Sequence, residues 1–540
     1  MKPAAIDVGE RSPIRLVILA STLGTVFEWY DFFVYGTLAG VIGQNFFPAG
    51  NSAVSLLITL ATFGVGFGMR PVGAVLFGVL GDKLGRKYTF LVTVTLMGGA
   101  TAGVGLLPTY ATIGIAAPIL LVLLRVAQGL ALGGEYGGAA IYVAEHAPRK
   151  KRGLYTSFIH AGVAGGFLLS ISVVLAASEF AVKEDFAAWG WRIPFLFSLL
   201  LLAISLWVRL MLRESPVFLA MQKEGTLARN LLKESVDSWP KWRKLLVVLF
   251  GVTAGLTVIF YTAHFQSLYF IQNAVRIDDT SARMIVGLSA LLSIGWYILF
   301  GWLSDKIGRR PPIIAGYVLM LLLAFPLFKM IAANGNPELS AAMARAPVVV
   351  RGSDCSFNPL ATHGQATPCG RVLDSLSKRG VGYHKVRIAA GAPMVTIGSR
   401  VLTASDDMTI ERALAKAGYP TGKVTPPLGS AIKVAFGIIV VAFISGMTYG
   451  PVAALLVELF PARVRYTSLS VPYHIGAGWF GGFMPAVAFA LVAITGDIYS
   501  GLWYPVIVAA LTTLAGVCLL PETSGPRSLP DEVVSAARQP

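Results

Sequence analysis

Two short basic turns of this chain read almost alike, and each lies between two long apolar segments. Residues 81–87 read GDKLGRK, and residues 304–310 read SDKIGRR. A hydrophobic chain that repeats its own turns is predicted to fold as two similar halves. In membranes, this architecture is typical of transporters whose substrate site lies between the halves. A second set of residues repeats with the same internal spacing: Glu145, Pro148 and Arg152, then Glu458, Pro461 and Arg465.

The composition places the chain in a membrane. Hydrophobic residues make up 55% of it and charged residues only 13%, whereas a soluble protein carries about 25% charged residues. Because about 20 apolar residues cross a bilayer, the apolar segments predict an all-α polytopic membrane protein with twelve spans in two six-helix bundles. The predicted spans are 15–41, 53–80, 88–107, 116–144, 153–178, 191–212, 244–271, 283–302, 311–333, 430–457, 466–494 and 501–520.

The connections after even-numbered spans are basic, whereas those after odd-numbered spans are nearly uncharged or mixed. Short basic loops remain on the cytoplasmic side, so both termini are predicted to be cytoplasmic. The same rule explains much of the net charge of +16, which therefore does not indicate a nucleic-acid partner. The predicted divisions are an N-terminal bundle at 1–212, a cytoplasmic linker at 213–243, a C-terminal bundle at 244–333 and 430–525, a periplasmic insert at 334–429 and a cytoplasmic tail at 526–540.

The repeat also locates the insert. Asp82 and Glu145 are 63 positions apart, but Asp305 and Glu458 are 153 positions apart, so the second half holds 90 additional residues. The polar stretch 334–429 accounts for them and follows span 9. It is predicted to face the outside, and it is long enough for a small folded module.

Two local features are predicted inside the insert. Residues 408–417 read as a short helix, with Asp406 or Asp407 as its N-cap. Cys355 and Cys369 are expected to form a disulfide, because exported cysteine pairs are commonly oxidised. Two free thiols are the alternative. A zinc site is disfavoured, since one cysteine pair and one histidine do not supply four ligands, and no metal is predicted.

Five charged residues lie inside predicted spans of the first half, where a charge is costly and usually functional. Glu28 and Asp31 are on span 1, Arg70 is on span 2, and Arg125 and Glu135 are on span 4. A helical rise of about 1.5 Å per residue places all of them except Arg125 in one layer near the midplane. Arg125 is predicted to lie nearer the outside.

The carboxylates of this layer are candidates for proton coupling. Glu28, Asp31 and Tyr35 are spaced i, i+3, i+7 and share one face of span 1. Burial raises the pKa of a carboxylate and a neighbouring arginine lowers it, so small rearrangements can move the group across neutral pH. Glu28, Asp31 and Glu135 are therefore predicted to take up and release protons. Close helix packing in its glycine-rich surroundings is the alternative role for Glu135.

The arginines are candidates for binding an anionic substrate. Arg70 and Arg125 would hold the anion, with Tyr35 and Gln128 in the same predicted substrate site. The alternative is a static ion-pair network that locks spans 1, 2 and 4 together. Arg70 precedes Pro71, and it could also brace the turn below it.

The second half carries little charge inside its spans. Its polar candidates are on span 7, where Thr257, Tyr261 and His264 lie along one helical face. Tyr261 and His264 are predicted substrate contacts. The alternative is helix packing or an interfacial position, since aromatic residues with a polar group are common there. Two further histidines, His160 and His474, also lie inside predicted spans. A lone histidine there is more often a core residue with satisfied hydrogen bonds than a proton carrier.

The two basic turns are predicted to act as gates. Asp82 and Asp305 can cap or pair with neighbouring helix ends. Arg86 and Arg309 can reach the two repeated glutamates that follow them in sequence. Such contacts would hold one conformation closed and break in the other. The glutamates in question are Glu145 and Glu458.

No phosphate-binding glycine-rich loop, metal-ligand cluster or nucleophile triad is visible in the sequence. The chain is therefore not expected to be an enzyme or an ATP-driven pump, and no cofactor is predicted. The expected partners are a small-molecule substrate, protons and the lipid bilayer, and we expect a monomer.

The duplicated turn resembles the signature loop of the major facilitator superfamily, as do LRESP at 212–216 and PET at 521–523. The resemblance covers about 1–333 and 430–525, and the insert departs from the short outer loop of that family. Four further segments resemble the metabolite:proton symporter family within it: EWYDFF at 28–33, RPVG at 70–73, RVAQG at 125–129 followed by GGE at 133–135, and WGWRIP at 189–194.

This resemblance implies twelve helices in two bundles, a central cavity, alternating access and proton symport. Members of the family carry small organic acids such as 2-oxoglutarate, citrate and shikimate, or zwitterions such as proline and betaine. It implies coupling or substrate roles for Glu28, Asp31 and Arg125, and it does not select the substrate.

The leading hypothesis is a bacterial inner-membrane proton symporter that imports a small carboxylate metabolite. Three alternatives remain open. The chain could be an exporter or antiporter of the same fold. It could be a transporter-like receptor that signals through the insert. The insert could also be an independent binding module for a partner or for the cell envelope.

Overall fold

The computed structural model describes residues 14–48, 52–84, 86–180, 185–211, 238–358, 365–389, 391–403, 406–420, 422–460 and 465–524. These residues form a helical bundle with a small α/β module attached to it. Most of the predicted linker and the whole predicted tail lie outside the described residues.

Twelve helical spans make up the bundle within this described part of the chain. Eleven are long and apolar enough to cross a membrane, and Arg192–Val208 is a shorter apolar helix at the position of span 6. The prediction of a twelve-span membrane protein is confirmed. In chain order, spans 1 to 12 are Ile14–Thr37; Ser52–Gly68 with Arg70–Leu84; Arg86–Leu106; Ala116–Gly133 with Tyr136–His146; Arg152–Phe180; Arg192–Met211; Trp239–Ala274; Asp279–Ile307; Arg310–Gly335; Leu428–Tyr449 with Val452–Leu459; Arg465–Thr495; and Trp503–Leu519.

Several predicted boundaries differ from the structure. Span 1 ends at Thr37, and a turn at Leu38 separates it from the helix Ala39–Phe46. The helix of span 7 begins at Trp239, ahead of the predicted start at residue 244. The reason is local: Pro240 stands in the first turn of this helix, where its fixed backbone angle favours helix initiation.

Spans 7 and 11 are irregular in a way that the apolar pattern does not reveal. Both contain wide π-helical turns, which are rare and frequent at functional sites. Hydrophobicity is the same for either type of turn, so only the packed structure distinguishes them. The turns are Leu249–Thr253, Thr262–Gln266 and Phe270–Ala274 in span 7, and Gly476–Gly482 in span 11.

The two halves of the bundle meet through two pairs of helices. Span 5 packs against span 8, and span 2 packs against span 11. At the first pair the backbones approach closely, because a Cβ atom on Gly153 would collide with the carbonyl oxygen of Gly301. Small residues permit such close helix contacts in membranes.

The insert forms a module with its own sheet, which the all-α prediction did not include. The strands are β1 (Val348–Gly352), β2 (Tyr383–Arg387), β3 (Met394–Ile397) and β4 (Arg400–Leu402), in the order β2-β1-β3-β4. Strands β1 and β2 are parallel, and the other pairs are antiparallel. Three helices accompany the sheet: Pro337–Arg345, Pro368–Lys378 and Asp407–Lys416.

A separate apolar core holds the module together, with Val350, Leu373 and Ile410 completely buried in it. The predicted helix near residue 408 is present as Asp407–Lys416, and Asp406 is its N-cap through a hydrogen bond from the Thr409 N–H. A disulfide joins Cys355 to Cys369 and so links the segment after β1 to the helix Pro368–Lys378.

The module is docked on the second half of the bundle. The N–H of Tyr383 donates to the carbonyl of Gly496 (3.0 Å), and its hydroxyl donates to the carbonyl of Ala493 (3.0 Å). These carbonyls belong to the end of span 11, where helical C=O groups lack intrahelical partners. The helix Pro368–Lys378 also contacts span 2 of the first half. We call this side of the bundle the insert face and the opposite side, with the two basic turns, the turn face.

Candidate functional site

All five charged residues predicted inside the first half are buried. Arg70 and Arg125 have no exposed surface, and the carboxylates Glu28, Asp31 and Glu135 are 8%, 5% and 3% exposed. A buried guanidinium or carboxylate loses its hydration, so each of these groups needs polar partners or a function. The structure separates the five residues into two environments.

Arg125 faces the boundary between the two halves. One of its Nη atoms donates to Oε1 of Gln128, while Nε and the other Nη are buried without a hydrogen-bond partner. Its guanidinium carbon lies 4.1 Å and 4.3 Å from the ring centroids of Phe32 and Tyr35. Cation–π contact stabilises the charge, but it leaves N–H donors available for an anion.

Gln128 connects Arg125 to span 1. Its Nε2 donates to Oγ1 of Thr101 at 2.7 Å, and that hydroxyl lies 3.4 Å from the backbone carbonyl of Asp31. The same hydroxyl lies 2.9 Å from the carbonyl of Met97, and because it has one proton, the contact with Asp31 is the weaker of the two. Gln128 and Thr101 thus lie between the guanidinium and the backbone of span 1.

Arg70 is the second guanidinium at the boundary. None of its three side-chain nitrogens has a hydrogen-bond partner of standard distance and angle. Its guanidinium carbon lies 5.1 Å from the ring of Trp29, 5.3 Å from that of Phe67 and 5.8 Å from that of Tyr473. Tyr473 belongs to span 11, so Arg70 contacts both halves.

The carboxylates lie deeper in the first half. Glu28 and Asp31 line a crevice of about 10 Å³ between spans 1, 3 and 6, a volume that corresponds to roughly one water molecule. Oδ1 of Asp31 is buried without a hydrogen-bond partner. Glu135 is close enough to Asp31 for their charges to interact, and it sits at the break between the two helices of span 4.

Tyr261 and His264 of span 7 are buried on the second-half side of the boundary. The Tyr261 hydroxyl has no hydrogen-bond partner, and its ring lies edge-on to Phe67 at 5.4 Å. Nδ1 of His264 is 2.9 Å from the carbonyl of Phe260, while Nε2 is buried without a partner. Each residue thus offers one unused polar atom near the centre.

An aromatic cluster that was not among the predicted site residues lies near Arg70 and contains residues of both halves: Tyr136 and His160 of the first half, and Tyr473 and His474 of the second. Tyr136 and Tyr473 stack at 3.7 Å between ring centroids, and the Tyr136 hydroxyl lies 3.1 Å from Nε2 of His160. Both nitrogens of His474 are buried without a hydrogen-bond partner. Tyr136 lies with Glu135 between two glycine pairs in GGEYGG. This pattern is the sequence signal that could have indicated Tyr136 as a site residue.

The turn face is closed by polar contacts between the halves. Both carboxylate oxygens of Asp305 accept hydrogen bonds of 2.8 Å from the backbone N–H groups of Gly153 and Leu154, at the start of span 5. Glu145 forms an ion pair with Arg465 of the other half at 3.2 Å. These contacts join the two halves at this face, and the gating role of Asp305 and Glu145 stays a prediction.

Arg309 organises the second-half turn. It donates to Glu458 at 3.1 Å and to Asp305 at 2.7 Å. Burial lowers the pKa of Arg309, but the adjacent carboxylates of Glu458 and Asp305 raise it more, so the net shift is upward. In the first turn, the structure describes the backbone of Asp82 and Arg86 but not their side chains, so their predicted contacts stay a prediction.

The insert face opens into a cavity of about 910 Å³. Residues at the insert-face ends of spans 1, 2, 5, 7, 8 and 11 line it together with the insert. Tyr269 lies in its lining and donates to the carbonyl of Gly36 at 2.7 Å, which joins the halves there. Arg70 and Arg125 are not in the lining. Among the described residues, polar contacts join the halves at the turn face, and the cavity at the insert face does not reach Arg70 or Arg125.

Comparison with known proteins agrees with this architecture. The family model described as "Sugar (and other) transporter" matches residues 16–247. A proline/betaine transporter of Salmonella typhimurium is 38% identical over 339 residues, which cover 61% of this chain and 66% of that protein. The shikimate transporter of Escherichia coli is 42% identical over 328 residues, which cover 60% of this chain and 74% of that protein.

A solved structure shows the same fold. The partially occluded, inward-open xylose transporter XylE from E. coli superposes with a TM-score of 0.62, covering 95% of this chain and 99% of the other at 17% identity. At that identity the comparison concerns the fold alone. The chain belongs to the major facilitator superfamily and is a multi-pass metabolite permease, a secondary transporter and not an enzyme.

Proposed function

We propose that this permease couples the entry of protons to the uptake of a small carboxylate-bearing metabolite across the bacterial inner membrane. The observation that carries the proposal is the pair of buried guanidinium groups, Arg70 and Arg125. Arg125 uses one Nη atom for Gln128, and the remaining side-chain nitrogens of both arginines have no hydrogen-bond partner of standard distance and angle. Leaving a buried charge unpaired costs several kcal/mol. A site of this kind is stabilised when an anion enters it.

A carboxylate suits the geometry at Arg125. The unused Nε and Nη atoms can hold two carboxylate oxygens side by side, which is the strongest arrangement of this ion pair. The same unused donors disfavour the alternative of a static ion-pair network through Arg70 and Arg125, because such a network would already occupy them. Tyr35 and Tyr261 are placed to contact the rest of the substrate.

Proton coupling is assigned to the carboxylates behind the arginines. Asp31 has an unpartnered oxygen beside a crevice of water size, and the charge of Glu135 is near. Two like charges in a buried site favour a shared proton. Gln128 and Thr101 lie between Arg125 and the backbone of Asp31, and we expect substrate at Arg125 to affect Asp31 through them.

Alternating access follows from the two ends of the bundle. In the proposed orientation the insert face is periplasmic and the turn face is cytoplasmic, with both termini inside. The present conformation then faces outward with its centre covered. Opening to the cytoplasm would break the contacts of Asp305 with span 5 and of Glu145 with Arg465.

The substrate class is proposed from the site and from the relatives together. The names of the similar proteins include proline, betaine and shikimate, compounds that share a carboxylate. A betaine-like zwitterion is the second candidate, favoured by the rings of Trp29, Phe67 and Tyr473 around Arg70, since aromatic faces attract quaternary ammonium groups.

Uptake of labelled carboxylates and zwitterions into proteoliposomes tests the proposal, with and without an imposed inward proton gradient. Uptake that collapses with a protonophore would support symport and identify the substrate. Counterflow without gradient dependence would favour a facilitator. Efflux driven by an oppositely directed gradient would favour an exporter or antiporter, and binding without flux would favour a receptor.

A further inference from the structure

The cavity at the insert face contains a second arginine site, separate from Arg70 and Arg125. We propose that this vestibule holds an outer binding site for small carboxylates, with Arg283 as its main ligand and the insert as one of its walls. The inference rests on the proposed function for the class of ligand. It adds a site that a substrate would occupy before it reaches the centre.

Arg283 carries the proposal. It lies in the first turns of span 8 and lines the vestibule, yet it is only 8% exposed and its Nε is buried without a hydrogen-bond partner. A guanidinium held in this way is fixed in position, and it retains donors for a ligand that enters from the cavity. The volume of about 910 Å³ is in the range of small-molecule sites.

The carboxylates of the vestibule are largely engaged elsewhere. Oδ1 of Asp278 accepts from the Ser281 N–H as the N-cap of span 8 (2.9 Å). Oδ1 of Asp279 accepts from Nζ of Lys423 at 2.6 Å. Glu179 is the remaining acidic residue of the lining and is exposed at the end of span 5. Asp279 is near enough for its charge to interact with that of Arg283, but its short ion pair is with Lys423.

A second arginine, Arg276, lies beside this site in the connection between spans 7 and 8. Its backbone is hydrogen-bonded to the insert. Arg276 has φ +65°, the only positive φ outside glycine among the described residues. Its carbonyl accepts from the Val424 N–H at 2.8 Å, and the Asp278 N–H donates to the Val424 carbonyl at 3.0 Å. A strained conformation persists only where the surroundings impose it. Here the two hydrogen bonds with Val424 of the insert hold the backbone on both sides of this residue, and Arg276 lines the vestibule.

Neutral polar groups complete the site. The amide side chains of Gln266 and Gln272 line the same cavity from span 7, and Ser377 lines it from the insert. Amides and hydroxyls hydrogen-bond the oxygens of a carboxylate or a polyol. The arrangement fits a hydrated small acid better than an apolar ligand.

Thiol chemistry tests the site without any need for transport. In a Cys518→Ser background, we would introduce Thr280→Cys in the vestibule lining and, as a reference, Val401→Cys on the exposed strand β4. The purified full-length protein is treated with an anionic or a cationic methanethiosulfonate of similar size. The observable is the ratio of the two modification rates at each cysteine.

We expect the anionic reagent to be favoured at position 280 by about tenfold relative to position 401, the lower end of electrostatic focusing in a cleft. Arg283→Gln should remove most of this preference, and Arg283→Lys should keep it. The matched control Arg412→Gln, on an exposed helix of the insert, should leave the ratio unchanged. An unchanged ratio in folded Arg283→Gln would overturn the proposal.

Protection supplies a readout that does not depend on substitution at Arg283. Millimolar shikimate or glycine betaine should slow modification of Thr280→Cys and leave Val401→Cys unaffected. Absence of protection by both compounds would overturn the proposal even if Arg283→Gln did not fold. Protection without uptake in proteoliposomes would contradict the proposed symport and support the outer site. Uptake without protection would support the symport and contradict the outer site.

Discussion

Glu145 of span 4 and Arg465 of span 11 form an ion pair of 3.2 Å that joins the two halves at the turn face. The two residues belong to the repeated pattern, but they come from different copies of it. The pair therefore holds the two halves together at this face, whereas a contact within one half would not. Opening of this face requires the pair to separate.

Glu145→Gln is expected to favour opening of the turn face. Loss of a partly exposed ion pair costs about 1 kcal/mol, so the open population should rise several-fold. The measurement is the rate at which a thiol reagent modifies Ser470→Cys, which is buried beside Gly137 in the closed form. The control Glu411→Gln breaks an ion pair within the insert and should leave the rate unchanged.

Gly153→Ala is expected to weaken the same closed form by a steric route. The new Cβ would collide with the backbone of Gly301 in the opposite half, and backbone cannot move aside cheaply. Gly295→Ala is the matched control on span 8, because nothing lies within 4 Å of its Cβ position. Equal reactivity of Ser470→Cys in both variants would contradict the assigned contact.

Arg125→Gln is expected to lower uptake by at least about 100-fold, the equivalent of a bidentate, charge-assisted interaction of about 3 kcal/mol. Arg125→Lys should recover only part of the activity, because an ammonium lacks the planar pair of donors. Membrane insertion and a monodisperse elution profile serve as folding controls. Normal uptake by Arg125→Gln would remove the anion-binding role.

Asp31→Asn is expected to abolish the coupling of transport to protons and to leave the exchange of substrate intact. An amide cannot carry the proton, so gradient-driven accumulation should be lost, while counterflow of substrate should continue. The comparison is Glu28→Gln, whose side chain lines the same crevice. Gradient-driven accumulation at the normal level in Asp31→Asn would move the coupling role to Glu28 or Glu135.

Glu522 gives a prediction about pH at the turn face. Burial raises the pKa of this carboxyl, but hydrogen bonds from the backbone N–H groups of Arg309, Ser524 and Arg310 lower it more, so the folded pKa lies below the usual value. Its contribution to stability is therefore present above the unfolded pKa of about 4.5 and lost as the pH falls through the lower folded value. Thermal unfolding of the wild type and of Glu522→Gln between pH 7 and pH 3 tests this. The difference between their midpoints should shrink towards acid pH, and a constant difference would contradict it.

The spans and the insert could be predicted because they depend on local properties. Apolar length defines a membrane helix whatever packs around it, and the spacing of Asp305 and Glu458 revealed the extra 90 residues. Side-chain chemistry within one turn limited the cap to Asp406 or Asp407, and the structure assigns it to Asp406. The sheet of the insert was not predicted, because its strands are only 3 to 5 residues long and pair across distant segments.

The site was predictable only as a set of residue types. Arg70, Arg125 and Asp31 could be selected because they are charged residues in apolar spans, where a charge is costly and usually functional. Their grouping was not predictable. The arginines face the boundary of the halves, and Glu28 and Asp31 line a crevice among spans 1, 3 and 6, because helix rotation depends on packing and not on depth in the membrane.

The sequence by itself determined that this protein spans the membrane with two related halves, carries charge in its first half and holds a polar insert after span 9. Only the tertiary structure decided that Glu145 meets Arg465, that Asp305 caps span 5 of the opposite half, and that the insert walls a vestibule at Arg283. The reason is physical: hydrophobicity and capping act within a few residues, whereas these contacts join residues more than 100 positions apart and depend on distances that packing alone sets.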